Sequence, residues 1–238
     1  IGQSAGGVLS ITGEPDGQPC KPGVTLADTG TGMLMSVTIL GALYRQQATG
    51  QGEHLQLAMQ DAMTQYTRLA YAYRDLNGKA APRAGAKLFT TGNAPTGIFP
   101  CKPGGKNDYV YIYTTRAGNH HWERLCQLLS RDDLIKDPRF SGPKERAKNE
   151  EVIDKILTEF TKQHTKREAM KLIGECGVPC GAVLDVAELY DDEDLNSRGI
   201  FQNMDHPERG EYKMPTWPVK VNGGHLSVPP SPLLGEHV

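Results

Sequence analysis

The sequence predicts a mixed α/β fold in which strands and helices alternate before a compact α+β unit begins. Helical spacing runs from Thr29 to the glycines after Thr49, and again from Asp61 to about Leu76. Short apolar runs of strand type precede the first helix, at 7–14 and 24–27, and a third lies between the two helices, at 53–59. This alternation is typical of helices layered on a parallel sheet.

The second observation is the composition of residues 108–184, which predicts the α+β unit. Tyr109–Thr114 is rich in β-branched and aromatic residues and predicts a strand. Helices are predicted after Asn119, at about 145–163 and after Thr165, and a strand over Gly177–Leu184 closes the unit. Capping-box spacing marks two helix starts, at Thr165 with Glu168 and at Asp185 with Glu188. From about Gly199 the pattern is strand, turn and strand.

Composition and charge exclude several classes of protein. The chain has 238 residues, of which 23% are charged, and 26 basic residues face 28 acidic ones for a net charge of −2. No basic excess is present to neutralise a phosphate backbone, so nucleic acid is not expected as a partner. The longest apolar uncharged run, Thr29–Tyr44, contains three Thr, one Ser and three Gly. We expect it to be too short and too polar to span a membrane.

The five cysteines predict reduced thiols in a cytoplasmic protein rather than a disulfide framework or a metal site. Their number is odd and their spacing wide: Cys20, Cys101, Cys126, Cys176 and Cys180. Three residues separate the last two, and no second pair completes a zinc site. His120 and His121 are adjacent on a predicted helix, so their side chains diverge and do not readily share a metal.

A long stretch at 77–107 connects the two parts. Its 31 residues include six Gly and four Pro. A connection of this length in a compact domain is either functional or a plain linker, and both interpretations remain open on composition alone.

Asp28 is the strongest candidate for chemistry. It is predicted to lie between a strand end and a helix start, where open α/β sheets build their sites. Flanking glycines allow a ligand to approach closely, and a carboxylate in this place can act as nucleophile or base. The alternative is that Asp28 only caps the helix.

The Thr29–Gly32 segment suggests a dinucleotide fingerprint, but that motif needs glycine at position 35, where Met35 stands.

Taken together, these motifs resemble the central and later blocks of the family III CoA-transferases of the CaiB/BaiF superfamily, most of all its formyl-CoA transferase members. The resemblance covers essentially the whole chain, in the family's order. The segments that carry it are Gly23–Met33, Ile39–Arg45, Thr49–Gly52, Met59–Ala62, Gly92–Asn93, Asp137–Phe140, Gly177–Gly181, Arg198–Gly199 and Ser231–Gly235.

The resemblance implies a reaction and a set of site residues. Asp28 would be the nucleophile that attacks an acyl-CoA thioester, forms a mixed anhydride and then an aspartyl-CoA thioester, and finally passes CoA to a carboxylic acid. Gly30 and Gly32 would bind CoA or substrate, and backbone N–H groups around these glycines would donate to developing oxyanions. Gly92 and Asn93 would belong to a loop over the site that excludes water. CoA is then a substrate, and no permanently bound cofactor and no metal are expected.

The resemblance also implies an interlocked homodimer with a Rossmann-like large domain and a small domain. Residues 1–76 would form the late part of the large domain with the catalytic Asp, and 77–107 the linker and active-site loop. Residues 108–184 would form the small α+β domain, and 185–238 the return to the large domain. The sequence is expected to be a segment of a longer protein, with most CoA contacts upstream.

One departure from the family pattern and two alternative functions limit the functional prediction. The formyl-CoA:oxalate enzymes have a run of glycines in the mobile loop, whereas this chain has Thr91–Gly97 without such a run, which argues against oxalate as the acceptor. The superfamily also contains α-methylacyl-CoA racemases, which use the Asp at this place as an acid/base group; the Gly-Val-Thr-Leu-Ala segment before Asp28 favours transferases. A non-catalytic interaction module remains the alternative of another class.

Overall fold

The computed structural model describes residues 1–90, 93–115 and 117–236, and these form a mixed helix and strand structure. The helices are α1 (Gly2–Ala5), α2 (Leu26–Thr49), α3 (Met59–Tyr66), α4 (Arg68–Asn77), α5 (His120–Leu128), α6 (Asp133–Lys136), α7 (Pro143–Lys148), α8 (Glu150–Thr161), α9 (Lys166–Glu175), α10 (Val186–Tyr190) and α11 (Glu193–Ser197), with 3₁₀ turns at Leu9–Ile11 and Pro138–Phe140. The strands are β1 (Thr96–Pro100), β2 (Tyr109–Tyr113), β3 (Cys180–Ala182), β4 (Phe201–His206), β5 (Gly210–Pro215), β6 (Lys220–Val221) and β7 (Gly224–His225).

The N-terminal part is helical, and the three strands predicted there are wrong. Residues 9–11 form a 3₁₀ turn, and residues 24–27 contain the start of α2, which begins at Leu26. Residues 53–58 alternate in exposure as a strand would, but they pair with no strand among the described residues. An alternating sequence pattern indicates that one face of the segment is buried. An extended segment that packs without pairing has the same pattern as a strand.

Helices α1, α2 and α3 pack around a small apolar cluster of Val8, Ala27, Ala62 and Met63. The predicted helix from Asp61 to Leu76 is two helices, α3 and α4, separated at Thr67. The buried Thr67 hydroxyl donates to the carbonyl of Thr64 at 3.0 Å, and it lies 3.4 Å from that of Gly6. A threonine side chain that bonds to backbone carbonyls competes with helix continuation, which explains the interruption.

Helix α2 is more exposed than predicted. Its apolar residues surround the axis and predict burial, but only Ala27 and Gly30 are buried, while Met33 is 61% and Tyr44 79% exposed. The helix has 24 residues, longer than the uncharged run within it, so by length and composition it could cross a membrane. Core helices of soluble proteins pass the same test, so this finding does not assign a location.

The second part is built on an antiparallel sheet in the order β1-β2-β3. The sheets formed by residues 1–90, 93–115 and 117–236 are all antiparallel. The parallel sheet was predicted for the first part of the chain, where residues 1–90 contain no strand. Strand β1 lies inside the stretch predicted as linker, and it pairs with β2 from Thr96 opposite Tyr113 to Pro100 opposite Tyr109. Val110 and Ile112 of β2 face a core formed with α5, α8 and α9.

Both predicted capping boxes are present, and they are the most accurate local predictions. The Thr165 hydroxyl accepts from the Glu168 N–H at 3.3 Å, and the Glu168 carboxylate accepts from the Thr165 N–H at 2.8 Å. Asp185 and Glu188 repeat the arrangement at 3.0 and 2.9 Å. The predicted helix at 145–163 is two helices, because Asn149 ends α7 and precedes α8.

A buried lysine ties the second capping box to the sheet. Lys166 Nζ donates to the carbonyls of Asn107 and Val183, at 3.2 and 2.8 Å, and to Glu188 Oε2 at 2.6 Å. The hydrogen bond from Lys166, together with that from the Asp185 N–H, lowers the pKa of Glu188 below its ordinary value of 4.5. The stabilisation is therefore complete above pH 4.5 and is lost as the pH falls through the folded-state pKa.

We expect Glu188→Gln to reduce stability more at about pH 7 than at about pH 3, because the contribution of the Glu188 carboxylate decreases as the pH falls through its lowered pKa. Urea unfolding at both pH values measures this. Glu159→Gln, on the exposed side of α8, serves as the control and should change neither value. An equal deficit of Glu188→Gln at the two pH values would contradict the assignment.

Candidate functional site

Asp28 lies in the first turn of α2, at the third helical position. The predicted placement after a strand is wrong, since residues 18–24 are irregular and Thr25 is the N-cap residue. Asp28 is exposed, and no described side chain forms a hydrogen bond or an ion pair with its carboxylate. Its side chain makes no cap hydrogen bond, so the interpretation of Asp28 as a mere helix cap has no support here.

The helix start determines which backbone donors are free. The first bond of the helix runs from the Thr29 N–H to the Thr25 carbonyl at 3.1 Å. The N–H groups of Leu26, Ala27 and Asp28 precede it and have no partner within the helix, whereas Gly30 and Gly32 lie far enough along to donate inside it. The free backbone donors nearest to Asp28 are therefore the N–H groups of residues 26–28, at the positive end of the helix.

The two glycines of the turn have different surroundings. Gly30 is buried, and a Cβ there would lie 2.7 Å from Tyr66 Cε2. The Tyr66 hydroxyl donates to the Gly30 carbonyl at 3.2 Å. A Cβ at Gly32 would meet no atom within 4 Å. The contact with Tyr66 therefore explains why residue 30 lacks a side chain, whereas Gly32 leaves open space one turn beyond Asp28. The roles of both glycines in CoA binding stay predictions.

The segment before α2 is held by a buried glutamine. Gln3 Nε2 donates to the carbonyl of Val24 at 3.3 Å, which fixes the chain four residues before Asp28. Gln3 Oε1 and Thr31 Oγ1 are buried and accept no hydrogen bond among the described residues. Sequence analysis did not find Gln3, because a lone Gln in a short helix carries no motif.

Of the predicted loop residues, Gly92 lies outside the described residues and Asn93 is buried. The Asn93 carbonyl accepts from the hydroxyls of Thr96 at 2.6 Å and Thr114 at 3.2 Å, and Asn93 Nδ2 donates to Thr96 Oγ1 at 3.2 Å. Asn93 also borders a cavity of about 290 Å³, lined in part by Lys87, Thr90 and Glu150. A role for Asn93 in substrate binding remains a prediction.

Arg146 anchors the same segment and was missed from the sequence. Its side chain is 1% exposed; Nε donates to the Ala94 carbonyl at 2.9 Å, and Nη1 to Asn119 Oδ1 at 2.8 Å and to the Phe140 carbonyl at 3.2 Å. Burial lowers the pKa of Arg146. No sequence signal marks it, because an Arg in a short charged helix normally faces solvent.

Four of the five thiols are poor competitors of Asp28 as nucleophiles, and the fifth, Cys20, is exposed. Burial raises the pKa of Cys126 to about 12 and also raises that of Cys101, Cys176 and Cys180. A protonated thiol is a poor nucleophile. Lys87 is engaged with carboxylates: burial opposes its charge, but hydrogen bonds and charges of Asp154 and Glu150 raise its pKa overall. Asp28, by contrast, is exposed, and no described side chain pairs with its carboxylate.

Comparison with known proteins assigns the family. The family model described as CoA-transferase family III matches residues 1–238. The chain belongs to CoA-transferase family III. A formyl-CoA:oxalate CoA-transferase of Streptomyces coelicolor is 32% identical over 251 residues, covering all of this chain and 60% of the relative. One from Rhodopseudomonas palustris is 33% identical over 255 residues, covering all of this chain and 59% of the relative.

A solved structure supports the fold assignment. The crystal structure of a CAIB/BAIF family protein from Brucella suis has a TM-score of 0.78 and 28% identity, over all of this chain and 60% of that protein. The chain therefore spans about 60% of the length of the relatives that it matches. The recognition of the family from its motifs is confirmed, and the relatives are named CoA-transferases.

Proposed function

We propose that the protein transfers CoA from an acyl-CoA to a free carboxylic acid, with Asp28 as the nucleophile. The observation that carries this proposal is the exposed Asp28 carboxylate, unpaired among the described residues, at the start of a 24-residue helix. Membership of the family supplies the reaction class. Free N–H groups at this helix end favour negative charge on the reacting oxygens.

The chemistry needs a carboxylate and proceeds by acyl substitution. The Asp28 oxygen attacks the thioester carbonyl, the C–S bond breaks, and CoA leaves as thiolate, which gives a mixed anhydride. The thiolate attacks the aspartyl carbonyl and releases the donor's acid, leaving an aspartyl-CoA thioester. The acceptor carboxylate attacks that thioester, the C–S bond breaks, and a second anhydride forms between Asp28 and the acceptor. The released CoA thiolate then attacks the acceptor's carbonyl in this anhydride and gives the new acyl-CoA. Asp28 is then regenerated, so no oxidant, metal or proton donor is consumed.

The donor and acceptor are proposed by chemical class. The relatives named formyl-CoA:oxalate CoA-transferases support a formyl-CoA-like or other short acyl-CoA donor. The Thr91–Gly97 sequence lacks the glycine run that the family resemblance associates with oxalate as acceptor, so we propose an acceptor other than oxalate. Screening the full-length protein against pairs of acyl-CoA and free acid by mass spectrometry identifies both. The homodimer implied by the family is part of the same proposal.

A proton-transfer reaction is the alternative, and isotope exchange separates the two. A transferase does not touch the α-proton, so we expect no solvent deuterium at Cα of a 2-methylacyl-CoA and rapid CoA exchange once a free acid is added. Mass spectrometry in deuterium oxide measures both events in one sample. Rapid deuterium incorporation without acid-dependent exchange would favour racemase chemistry, and neither event with any tested pair would favour a non-catalytic module.

A further inference from the structure

The start of α2 has one buried face and one face that is open to solvent. Residues 27, 30, 31 and 34 follow helical spacing and form one face, which packs on the apolar cluster or lies buried or half-buried. Asp28 and Gly32, one turn apart, share another face that is open to solvent. Asp28 and Gly30 are separated by about 200° around the axis, because each residue turns the helix by about 100°. A group that contacts Gly30 therefore holds this turn on its buried face, away from the side that carries Asp28.

Tyr66 is that group. It is the last residue of α3, its ring lies against Gly30, and its hydroxyl donates to the Gly30 carbonyl at 3.2 Å. Within the helix that carbonyl accepts from residue 34, so the tyrosine adds a second donor. The contact is selective for glycine, since a Cβ at position 30 would fall within 3.2 Å of three Tyr66 atoms.

The turn has few other restraints from side chains. Its N-cap residue, Thr25, makes no side-chain cap hydrogen bond. Gln3 holds the preceding Val24 carbonyl, and Ala27 packs in the cluster. Beyond Asp28, the Thr29 hydroxyl donates to the Thr25 carbonyl at 2.8 Å and Leu34 packs against the cluster. Tyr66 is the side chain that contacts Gly30 itself, through its ring and its hydroxyl.

We propose that Tyr66 is a positioning residue for CoA transfer, which fixes the first turn of α2 so that the Asp28 carboxylate meets the thioester in a reactive geometry. This inference rests on the proposed role of Asp28. Small displacements of a reacting group cost rate because orientation supplies much of the catalysis. Tyr66 touches neither reacting atom, so its effect should fall on kcat and on the rate of Asp28 acylation rather than on KM for the free acid.

Two substitutions separate the hydroxyl from the ring. Tyr66→Phe removes one hydrogen bond, and we expect kcat to fall about fivefold with KM for the acid unchanged. Gly30→Ala should lower kcat by more than about tenfold, because the ring or the turn must move. The matched controls are Tyr71→Phe on α4 and Gly41→Ala on α2, where a Cβ meets nothing within 4 Å. Both controls should stay within about twofold of wild type.

A double variant distinguishes positioning from stability. If the collision with the ring causes the loss, Gly30→Ala combined with Tyr66→Ala should be no slower than Tyr66→Ala alone. Unfolding free energies of every variant show what fraction is folded. The inference is overturned if wild type transfers CoA and neither test variant is slower than its control. That outcome means that Tyr66→Phe has the kcat of Tyr71→Phe, and Gly30→Ala that of Gly41→Ala. Wild type that transfers CoA between no pair of substrates would instead overturn the proposed function itself.

Discussion

Replacing Asp28 with asparagine in the full-length protein should lower CoA transfer by more than about a thousandfold, which is the effect expected on removing a covalent nucleophile. The amide has nearly the same size and keeps the side chain at the open face of α2, but it cannot form the anhydride. Because Asp28 bonds to no described side chain, the fold and the affinity for CoA should change little. Steady-state transfer, CoA binding by calorimetry and urea unfolding measure the three quantities.

Asp61→Asn provides the matched control for this experiment. Asp61 is the acidic residue in the first turn of α3, it is exposed, and it therefore shares the local setting of Asp28. We expect its variant to transfer CoA within about twofold of wild type. Transfer by Asp28→Asn within tenfold of wild type would leave only about 1.4 kcal/mol for the supposed nucleophile and would contradict its role.

The largest effect on stability is expected at Arg146. Replacing this buried residue with alanine leaves the Ala94 and Phe140 carbonyls and Asn119 Oδ1 without their donor, and it opens a cavity beside Trp122. We expect the free energy of unfolding to fall by about 3 kcal/mol, since hydrogen bonds from charged groups are worth more than neutral ones. Urea denaturation followed by circular dichroism measures the loss.

The neighbouring Arg139 supplies the control for Arg146. Its exposed guanidinium bonds to the Asp137 carboxylate, with Nη2 to Oδ2 at 2.7 Å. Exposed ion pairs contribute little, so Arg139→Ala should cost less than about 1 kcal/mol. Equal losses for the two alanine variants would show that the Arg146 network does not hold the segment around Ala94.

The family and the local helix signals could be predicted from the sequence, whereas the architecture of the first part could not. The capping pairs at Thr165 and Asp185 are formed by residues within four positions of each other, so their geometry is determined locally. The Tyr109–Thr114 strand was also found, because its residue types pack well in a sheet. These predictions needed no knowledge of distant partners.

Several of the errors arise where contacts with distant residues decide the structure. Val24–Ala27 has the composition of a strand, yet helix α2 already begins within it, at Leu26. The Gly and Pro content of 77–107 predicts a linker, but pairing with β2 makes Thr96–Pro100 a strand. The contacts of Tyr66 with Gly30 and of Arg146 with Ala94 join residues 36 and 52 positions apart, and no local pattern announces them.

Trapping the covalent intermediate tests the central claim most directly. The full-length protein is incubated with an acyl-CoA donor that the substrate screen identifies, hydroxylamine is added, and the digested protein is analysed by mass spectrometry. The anhydride and the aspartyl-CoA thioester are both activated acyl groups, so hydroxylamine should convert Asp28 to a hydroxamate, and only when donor is present. Donor-dependent transfer with an unmodified Asp28, or with the label on another carboxylate, would contradict the account.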